Sequence, residues 1–212
     1  LVVDSLLVRH GEALRAVRAA HPEARMVLLA HYLHCVDPTV SDPEAAEVER
    51  AVLPLFDGAV TPSASVRDAL CDEGMAPATV VAVPPGLDDR FRTSDPSGRS
   101  GTAGPTTMLT VANLLPGKGL PDLLDALERL SGDLRWTWTL VGSEDLDPDF
   151  AASIRERVAA SPVAERITLA GTVPAAEMPA TYDAHDVAVV PSRFETCSMT
   201  TREAMARGRA VV

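Results

Sequence analysis

The stretch TMLTVANLLPGKGLPDLL, from Thr107 to Leu124, combines a strand, a loop and the start of a helix. Its first part, Thr107–Ala112, is an apolar run too short for a helix and typical of a buried strand. A loop containing Gly117 and Gly119 follows. Proline is tolerated in a first helical turn, so the next segment predicts a helix over Leu120–Leu130. This order indicates one unit of a parallel α/β sheet.

The same alternation runs through the rest of the chain. Short runs rich in Val and Leu predict strands at Leu1–Val8, Met26–His31, Gly58–Ser63, Thr79–Pro84, Arg135–Gly142, Arg166–Gly171 and Asp186–Ser192. Helices are predicted between them at Glu12–Ala20, Pro43–Leu53, Ser63–Glu73, Asp149–Ala160, Glu177–Tyr182 and Ser198–Arg207. Because parallel strands buried on both faces give such apolar runs, we expect two parallel-sheet halves of the α/β class.

A linker separates the predicted halves. The segment Pro84–Thr107 breaks the alternation with Pro, Gly, Ser and charged residues. We therefore predict an amino-terminal domain over residues 1–85, a linker over 86–105 and a carboxyl-terminal domain over 106–212. The chain starts inside the apparent strand LVVD and stops at RAVV, where another strand begins. Both ends are expected to be truncated, and the sequence is interpreted as a fragment.

The composition argues against several classes of protein. With 46% hydrophobic and 23% charged residues over 212 positions, the chain is typical of a globular protein. Its net charge of -11 disfavours a nucleic-acid partner, which needs clustered basic residues. No apolar run reaches the roughly 18 residues that cross a bilayer, and a peripheral membrane contact stays open without support. The three cysteines have neither disulfide nor zinc spacing, which predicts a cytoplasmic protein.

Chemically distinctive residues follow the predicted strands. In open α/β sheets, ligands bind beyond the carboxyl ends of the strands, where helix amino-termini favour anions. The residues at or just after these strand ends are Asp4, His31, Lys118, Gly142, Gly171 and Glu195. They fall at one edge of each half, and we expect the two edges to face each other across a cleft.

Lys118 is the only lysine among 19 basic residues. It lies between two glycines before a predicted helix, where backbone can approach a ligand and the helix amino-terminus adds partial positive charge. A compact ammonium at such a place is suited to binding phosphate. The alternative is a plain turn with a solvated lysine, and both interpretations stay open.

Two glutamates stand near the end of the chain, in SRFETCSMTTREAMARG. Glu195 is expected to precede a helix that contains Glu203, because a continuous helix would not put residues at this spacing on one face. Glu195 could then orient sugar hydroxyls, and Glu203 could receive the hydroxyls of a second group such as ribose. The alternative for Glu203 is a capping box with Thr200.

Metal binding is less well indicated. His31 and His34 could in principle hold a metal, but no third ligand is spaced to complete the site. Asp145 and Asp147 resemble an acidic metal-binding pair, whereas an acidic turn before a helix near Pro148 is the favoured interpretation.

Several motifs together resemble glycosyltransferase family 4, retaining enzymes of the GT-B fold that transfer a sugar from a nucleotide-sugar donor. VANLLPGKGLPDLL (Val111–Leu124) resembles the donor-diphosphate loop, and TLVGS and LAGTV resemble the strand ends that frame the nucleotide. PSRFETCSMTTREAMARGRAVV (Pro191–Val212) resembles the paired-glutamate signature of the family. The resemblance covers the whole chain and implies two Rossmann-like domains facing a cleft.

The resemblance also implies roles for individual residues. Lys118 is expected to bind the donor diphosphate, Glu195 the transferred sugar and Glu203 the ribose. The full set expected to bind the donor is Asn113, Lys118, Gly142, Gly171, Val173, Glu195, Ser198, Met199, Thr200 and Glu203.

The implied catalytic residues are His31 and Glu195, with Asp4 and His34 on the acceptor side. The acceptor is expected to be a carbohydrate, a lipid or a small molecule, and the family implies no metal and no cofactor.

The chain departs from the family at some positions. Asn113 stands where many members have arginine, and Ser198 where glycine is common. Two other functions therefore stay open, namely a nucleotide-sugar-binding module without turnover and another GT-B enzyme such as a sugar-nucleotide epimerase.

Overall fold

The computed structural model describes residues 1–39, 42–92, 104–130 and 132–212. These residues form two compact units, each built on its own parallel sheet. The first unit comprises Leu1–Gly86 and Phe194–Cys197, and the second comprises Leu87–Arg193 and Ser198–Val212. The predicted α/β class with two Rossmann-like halves is confirmed. Of the predicted linker over residues 86–105, positions 93–103 lie outside the described residues.

The first unit alternates strands and helices. Its strands pair in chain order and are β1 (Val2–Asp4), β2 (Val27–Leu29), β3 (Gly58–Thr61) and β4 (Val80–Ala82). Its helices are α1 (Gly11–Ala20), α2 (Pro43–Val52) and α3 (Ala64–Asp72). Because each neighbouring pair is parallel, the carboxyl ends of these strands lie at one edge of the sheet.

Capping side chains fix where the helices of the first unit begin. Asp42 Oδ1 accepts a hydrogen bond from Ala45 N at 2.9 Å at the start of α2. Ser63 Oγ accepts one from Val66 N at 3.3 Å at the start of α3, which confirms the predicted helix start there. Each bond satisfies an amide that the first helical turn leaves without a partner.

The predicted first strand, Leu1–Val8, is too long. β1 ends at Asp4, and Ser5–Leu7 form a 3-10 turn. The Asp4 carboxylate accepts a hydrogen bond from Leu6 N at 2.8 Å, so an aspartate at the strand end turns the backbone out of the sheet. Val8 beyond the turn is fully buried, which explains why the apolar run continues past the strand.

The second unit is larger and is wound in two directions. Its strands are β5 (Thr106–Val111), β6 (Trp136–Val141), β7 (Ile167–Gly171), β8 (Val187–Ala188) and β9 (Ala210–Val211). Its helices are α4 (Leu120–Glu128), α5 (Pro148–Ala160), α6 (Met178–Asp183) and α7 (Met199–Ala206). The parallel sheet has the order β7-β6-β5-β8-β9, so the direction of winding reverses between β5 and β8. Such a switch point is where open α/β sheets bind ligands.

The predicted strand Asp186–Ser192 is also too long, because β8 spans only Val187–Ala188. Val190 N still donates to Val212 O at 2.8 Å, but Pro191 has no amide hydrogen to continue the ladder. The other predicted strands and helices are present, with ends shifted by a few residues. Within the described ranges, no helix is long and apolar enough to cross a membrane.

An acidic turn precedes α5, as predicted. Asp147 Oδ1 accepts a hydrogen bond from Phe150 N at 3.0 Å, and α5 begins at Pro148. Asp145 instead exchanges hydrogen bonds with the Ser143 hydroxyl. These contacts explain the acidic residues as capping and turn residues.

Two glycines allow backbone segments to touch at the carboxyl edge of the second sheet. A Cβ atom on Gly142 would lie 1.9 Å from the Ala112 carbonyl oxygen. A Cβ atom on Gly119 would lie 2.0 Å from the Pro191 carbonyl oxygen, and Gly119 also has a φ of +64°. The loops after β5 and β8 therefore pack backbone against backbone, which only glycine permits.

We expect Gly119→Ala to lower the free energy of unfolding of the second unit by at least about 1–2 kcal/mol, the cost of a left-handed backbone for an L-residue. The matched control is Gly117→Ala, since a Cβ there meets nothing within 4 Å. It should change the free energy by less than about 1 kcal/mol. Urea unfolding followed by tryptophan fluorescence reports on this unit, because Trp136 and Trp138 both lie in β6. Equal midpoints for the two variants would contradict the expectation.

Candidate functional site

Hydrogen bonds join the ends of β5, β6 and β7 in the second unit. Asn113 Oδ1 accepts from Ser143 N at 3.2 Å, and Leu114 N donates to Ser143 O at 3.0 Å. Gly142 N donates to Gly171 O at 2.9 Å. The structure thus brings Asn113 to the edge at which Gly142 and Gly171 were predicted to lie. The Asn113 amide has a structural role there, since it accepts from a neighbouring backbone amide.

The switch point between β5 and β8 lies beside Lys118. Gly117 O accepts a hydrogen bond from Arg193 N at 3.1 Å, and the Arg193 guanidinium pairs with Asp122 at 2.9 Å. Lys118 ends a 3-10 turn and Gly119 directly precedes α4, which confirms the predicted helix start. The lysine therefore stands at a helix amino-terminus beside the reversal of winding, where positive electrostatic potential favours anions.

A second helix amino-terminus follows β8. Ser198 caps α7, its Oγ accepting from Thr201 N at 3.3 Å and lying 3.1 Å from Thr200 Oγ1. Met199 is the first residue of α7. Glu195 precedes this helix, as predicted, and lies in the segment that groups with the first unit. Hydroxyls and first-turn amides are thus concentrated at the start of α7, which suits an anionic or hydroxylated ligand.

Glu203 lies inside α7 and is held from α6. Tyr182, which is fully buried, donates its hydroxyl hydrogen to Glu203 Oε2 at 2.9 Å. Burial raises the pKa of the Glu203 carboxyl, and the bond from Tyr182 opposes that rise. The same burial, with the nearby carboxylate, raises the pKa of Tyr182. Because its pKa is raised, the Tyr182 hydroxyl keeps its hydrogen and continues to donate it to Glu203 Oε2, which fixes that oxygen.

The alternative role of Glu203 in a capping box is wrong. A box with Thr200 needs Thr200 at the helix cap, but α7 begins at Met199 and its cap is Ser198. Val173, also expected at the donor, lies after β7 and packs against the apolar cluster that contains Tyr182. Arg207, at the end of α7, pairs with Asp183 of α6 and reinforces the contact between these helices.

The first unit brings together Asp4 and His31. His31 Nε2 lies 3.4 Å from Asp4 Oδ2, and both side chains are partly exposed at the carboxyl edge. Ser5 Oγ accepts from His31 N at 3.1 Å, so the turn after β1 is tied to the loop after β2. A carboxylate beside an imidazole orients the ring.

His34 points to a different partner. Its Nδ1 lies 2.9 Å from Glu49 Oε1, and Cys35 N donates to Glu49 Oε2 at 2.8 Å. Burial, together with the Glu49 charge, raises the pKa of the Cys35 thiol to about 12. The structure therefore separates His34 from the Asp4–His31 pair and joins it to α2.

This chain has relatives of known family. Residues 105–212 match the family described as Glycosyl transferases group 1. The chain belongs to that family. A curated relative, mannosylfructose-phosphate synthase of Agrobacterium fabrum (strain C58 / ATCC 33970), is 30% identical over 154 residues, which cover 66% of this chain and 34% of the relative.

Solved structures share the GT-B fold of this chain. HepE of Anabaena in complex with UDP and glucose has a TM-score of 0.74 and 19% identity, covering 95% of this chain and 56% of HepE. Sucrose-phosphate synthase from Thermosynechococcus elongatus has a TM-score of 0.71 and 22% identity, covering 97% of this chain and 60% of the synthase. The chain thus spans about a third of the curated relative and over half of the solved proteins.

Sequence reasoning missed Tyr182 and Glu49. Each is a polar residue on the buried face of a helix, at the spacing of core residues: Met178 and Tyr182 on α6, and Ala46, Glu49 and Val52 on α2. A polar group on such a face needs a partner. The sequence therefore shows that Tyr182 and Glu49 need hydrogen-bond partners, but it does not show which residues those partners are.

Replacing Tyr182 by Phe should destabilise the second unit by about 1–3 kcal/mol, because the half-buried Glu203 carboxylate loses a donor. The loss should grow with pH. Because the folded pKa of Glu203 is raised, the folded chain binds more protons than the unfolded chain between the two pKa values, so stability falls as pH rises through that window. Removing the hydrogen bond from Tyr182 raises the folded pKa of Glu203 further, so the pH range over which stability falls becomes wider.

The measurement is tryptophan-monitored urea unfolding at about pH 4 and about pH 7. In a double-mutant cycle with Glu203→Gln, the pH dependence of the Tyr182→Phe effect should disappear. An equal effect of Tyr182→Phe at both pH values in the Glu203 chain would contradict this assignment.

Proposed function

We propose that this chain is the donor-binding and part of the acceptor-binding region of a retaining, family 4 glycosyltransferase that moves a sugar from a nucleotide-sugar to an acceptor. The observation that carries the proposal is the position of the only lysine, Lys118, at the amino-terminus of α4 beside the switch point of the second sheet. Membership of the group 1 glycosyltransferases supports it.

Donor binding would use the carboxyl edge of the second unit. In this proposal Lys118 and the first-turn amides of α7 contact the diphosphate, and Glu203 accepts hydrogen bonds from the ribose hydroxyls. Tyr182 binds Glu203 Oε2, and in this proposal Glu203 Oε1 accepts from the ribose. Asn113, Gly142, Gly171 and Val173 would frame the nucleotide, and Glu195 would contact the transferred sugar.

The main requirement of the reaction is to stabilise the leaving diphosphate. As the bond between the anomeric carbon and the diphosphate oxygen breaks, its electron pair passes to the diphosphate, and the charge that develops there needs positive partners. The acceptor oxygen bonds to the same face of the anomeric carbon, so configuration is retained, and its proton passes to the departing diphosphate. His31, oriented by Asp4, would lie near the reacting carbon. No metal or cofactor is required in this scheme.

A nucleotide-sugar donor is supported by the relatives. HepE was solved with UDP and glucose, and the curated relative is named mannosylfructose-phosphate synthase. UDP-glucose is therefore the first donor to test, with GDP- and ADP-sugars beside it. The proposal includes a cytoplasmic location, which the pattern of cysteines favours.

Lys118→Ala should weaken donor binding roughly ten- to hundredfold, because a charge-assisted contact contributes about 1.5–3 kcal/mol. Calorimetric titration of UDP-, GDP- and ADP-sugars into the chain measures this directly. The matched control is Arg129→Ala, which removes one exposed positive charge at the opposite end of α4. It should leave the affinity within about twofold, because exposed charges farther apart than a Debye length are largely screened by salt.

Equal affinities for Lys118→Ala and the unaltered chain would refute the assignment of Lys118. Conversion of the donor to an epimer without acceptor would favour a sugar-nucleotide epimerase. Donor binding without transfer by a longer protein carrying this chain would favour a binding module.

A further inference from the structure

The first unit contains an open cavity of about 450 Å³. Its wall comes from the turn after β1, the loop after β2 and helix α2. The lining residues include Leu6, Arg9, Tyr32, His34, Val48 and Glu49. Ser5, which also lines the cavity, accepts the hydrogen bond from His31 N, so the cavity adjoins the Asp4–His31 pair. A volume of this size suits a small molecule.

Glu49 and His34 form a fixed pair in this wall. Glu49 is only 7% exposed, and both its oxygens have partners: His34 Nδ1 on Oε1 and Cys35 N on Oε2. A buried carboxylate that accepts two such hydrogen bonds is held in one conformation, because another conformation would leave buried polar groups without partners. Glu49 therefore sets the orientation of the His34 ring. Because Glu49 belongs to α2, this helix determines which edge of the His34 ring faces the cavity.

The pair also sets which ring nitrogen is available. If Nδ1 donates to Glu49, neutral His34 carries its hydrogen on Nδ1, and Nε2 is left as a hydrogen-bond acceptor. His34 lines the cavity, so a hydroxyl of a ligand is the natural donor to Nε2. Tyr32 is fixed in turn, because its hydroxyl donates to Asp37 Oδ2 at 2.9 Å and its ring meets His34 edge-on at 5.2 Å between centroids.

The charges of the wall restrict the ligand further. Asp42, Glu44 and Glu49 line the cavity together with one guanidinium, that of Arg9. Three carboxylates against one cation disfavour an anion. The aromatic ring of Tyr32 and the apolar side chain of Val48 offer surface to carbon–hydrogen faces of the ligand.

We propose that this cavity binds a neutral, hydroxyl-rich molecule of the size of a monosaccharide, and that His34, held by Glu49, accepts a hydrogen bond from one of its hydroxyls. The identification of this molecule as the sugar acceptor rests on the proposed function. The ligand is thus an unphosphorylated sugar or polyol.

The test is a titration of the full chain with glucose, fructose, galactose and inositol, followed by the methyl NMR signals of Leu6 and Val48, which line the cavity. At least one of these compounds should shift both residues' signals saturably. Glucose 6-phosphate should bind more weakly than glucose.

Two variants probe the pair. His34→Asn places an amide nitrogen near the position of Nδ1, so Glu49 keeps a donor, while Nε2 is removed. Glu49→Gln frees the ring orientation. Each should weaken sugar binding roughly tenfold, the value of one good hydrogen bond. The matched control is Glu47→Gln, which removes an exposed carboxylate of α2 outside the cavity wall and should leave binding unchanged.

Absence of any shift with all four compounds overturns the proposal, as does tighter binding of glucose 6-phosphate or equal affinities for His34→Asn and Glu47→Gln. Failure of Glu49→Gln to fold leaves His34→Asn as the deciding variant. The donor titration above is separate: lost sugar binding with intact donor binding refutes this inference alone. Sugar binding without donor binding refutes the proposed function and leaves the cavity assignment standing.

Discussion

Carbonyl oxygens occupy the places where side chains would project from Gly119 and Gly142, and the second unit depends on this contact of backbone with backbone. Larger residues would push apart the loops that follow β5, β6 and β8. With glycine, those loops converge on the reversal of winding between β5 and β8. The positive helix end beside Lys118 is thereby placed at the one part of a parallel sheet where a ligand meets several strand ends at once.

Much of this architecture was readable from the sequence. Apolar runs predicted the strands, and the acidic turn at Asp145 and Asp147 predicted a helix start, because these depend on neighbours along the chain. The errors came where a run stayed apolar after leaving its sheet. Val8 is buried beyond β1, and Pro191 ends the hydrogen bonding after β8, so hydrophobicity alone overestimated both strands.

The candidate site was readable only in part. Strand-end positions predicted that Gly142 and Gly171 would lie at one edge, since parallel strands share one edge, whereas Asn113 was expected there only from the family resemblance. The supporting contacts were out of reach. Tyr182 meets Glu203 across 21 positions and His34 meets Glu49 across 15, and nothing in the local pattern names the partner. Polar residues on buried helix faces signal that a partner exists, which is as far as the sequence goes.

Lys118 supplies the only ε-amino group in the chain, and it ends the turn before α4. An acylating or reductively alkylating reagent therefore has a single side-chain amine to modify. A spectroscopic label attached there would stand at the switch point without any engineered cysteine and without competing attachment sites on other side chains. Because this chain has one lysine, a reagent for side-chain amines labels that loop of the chain selectively.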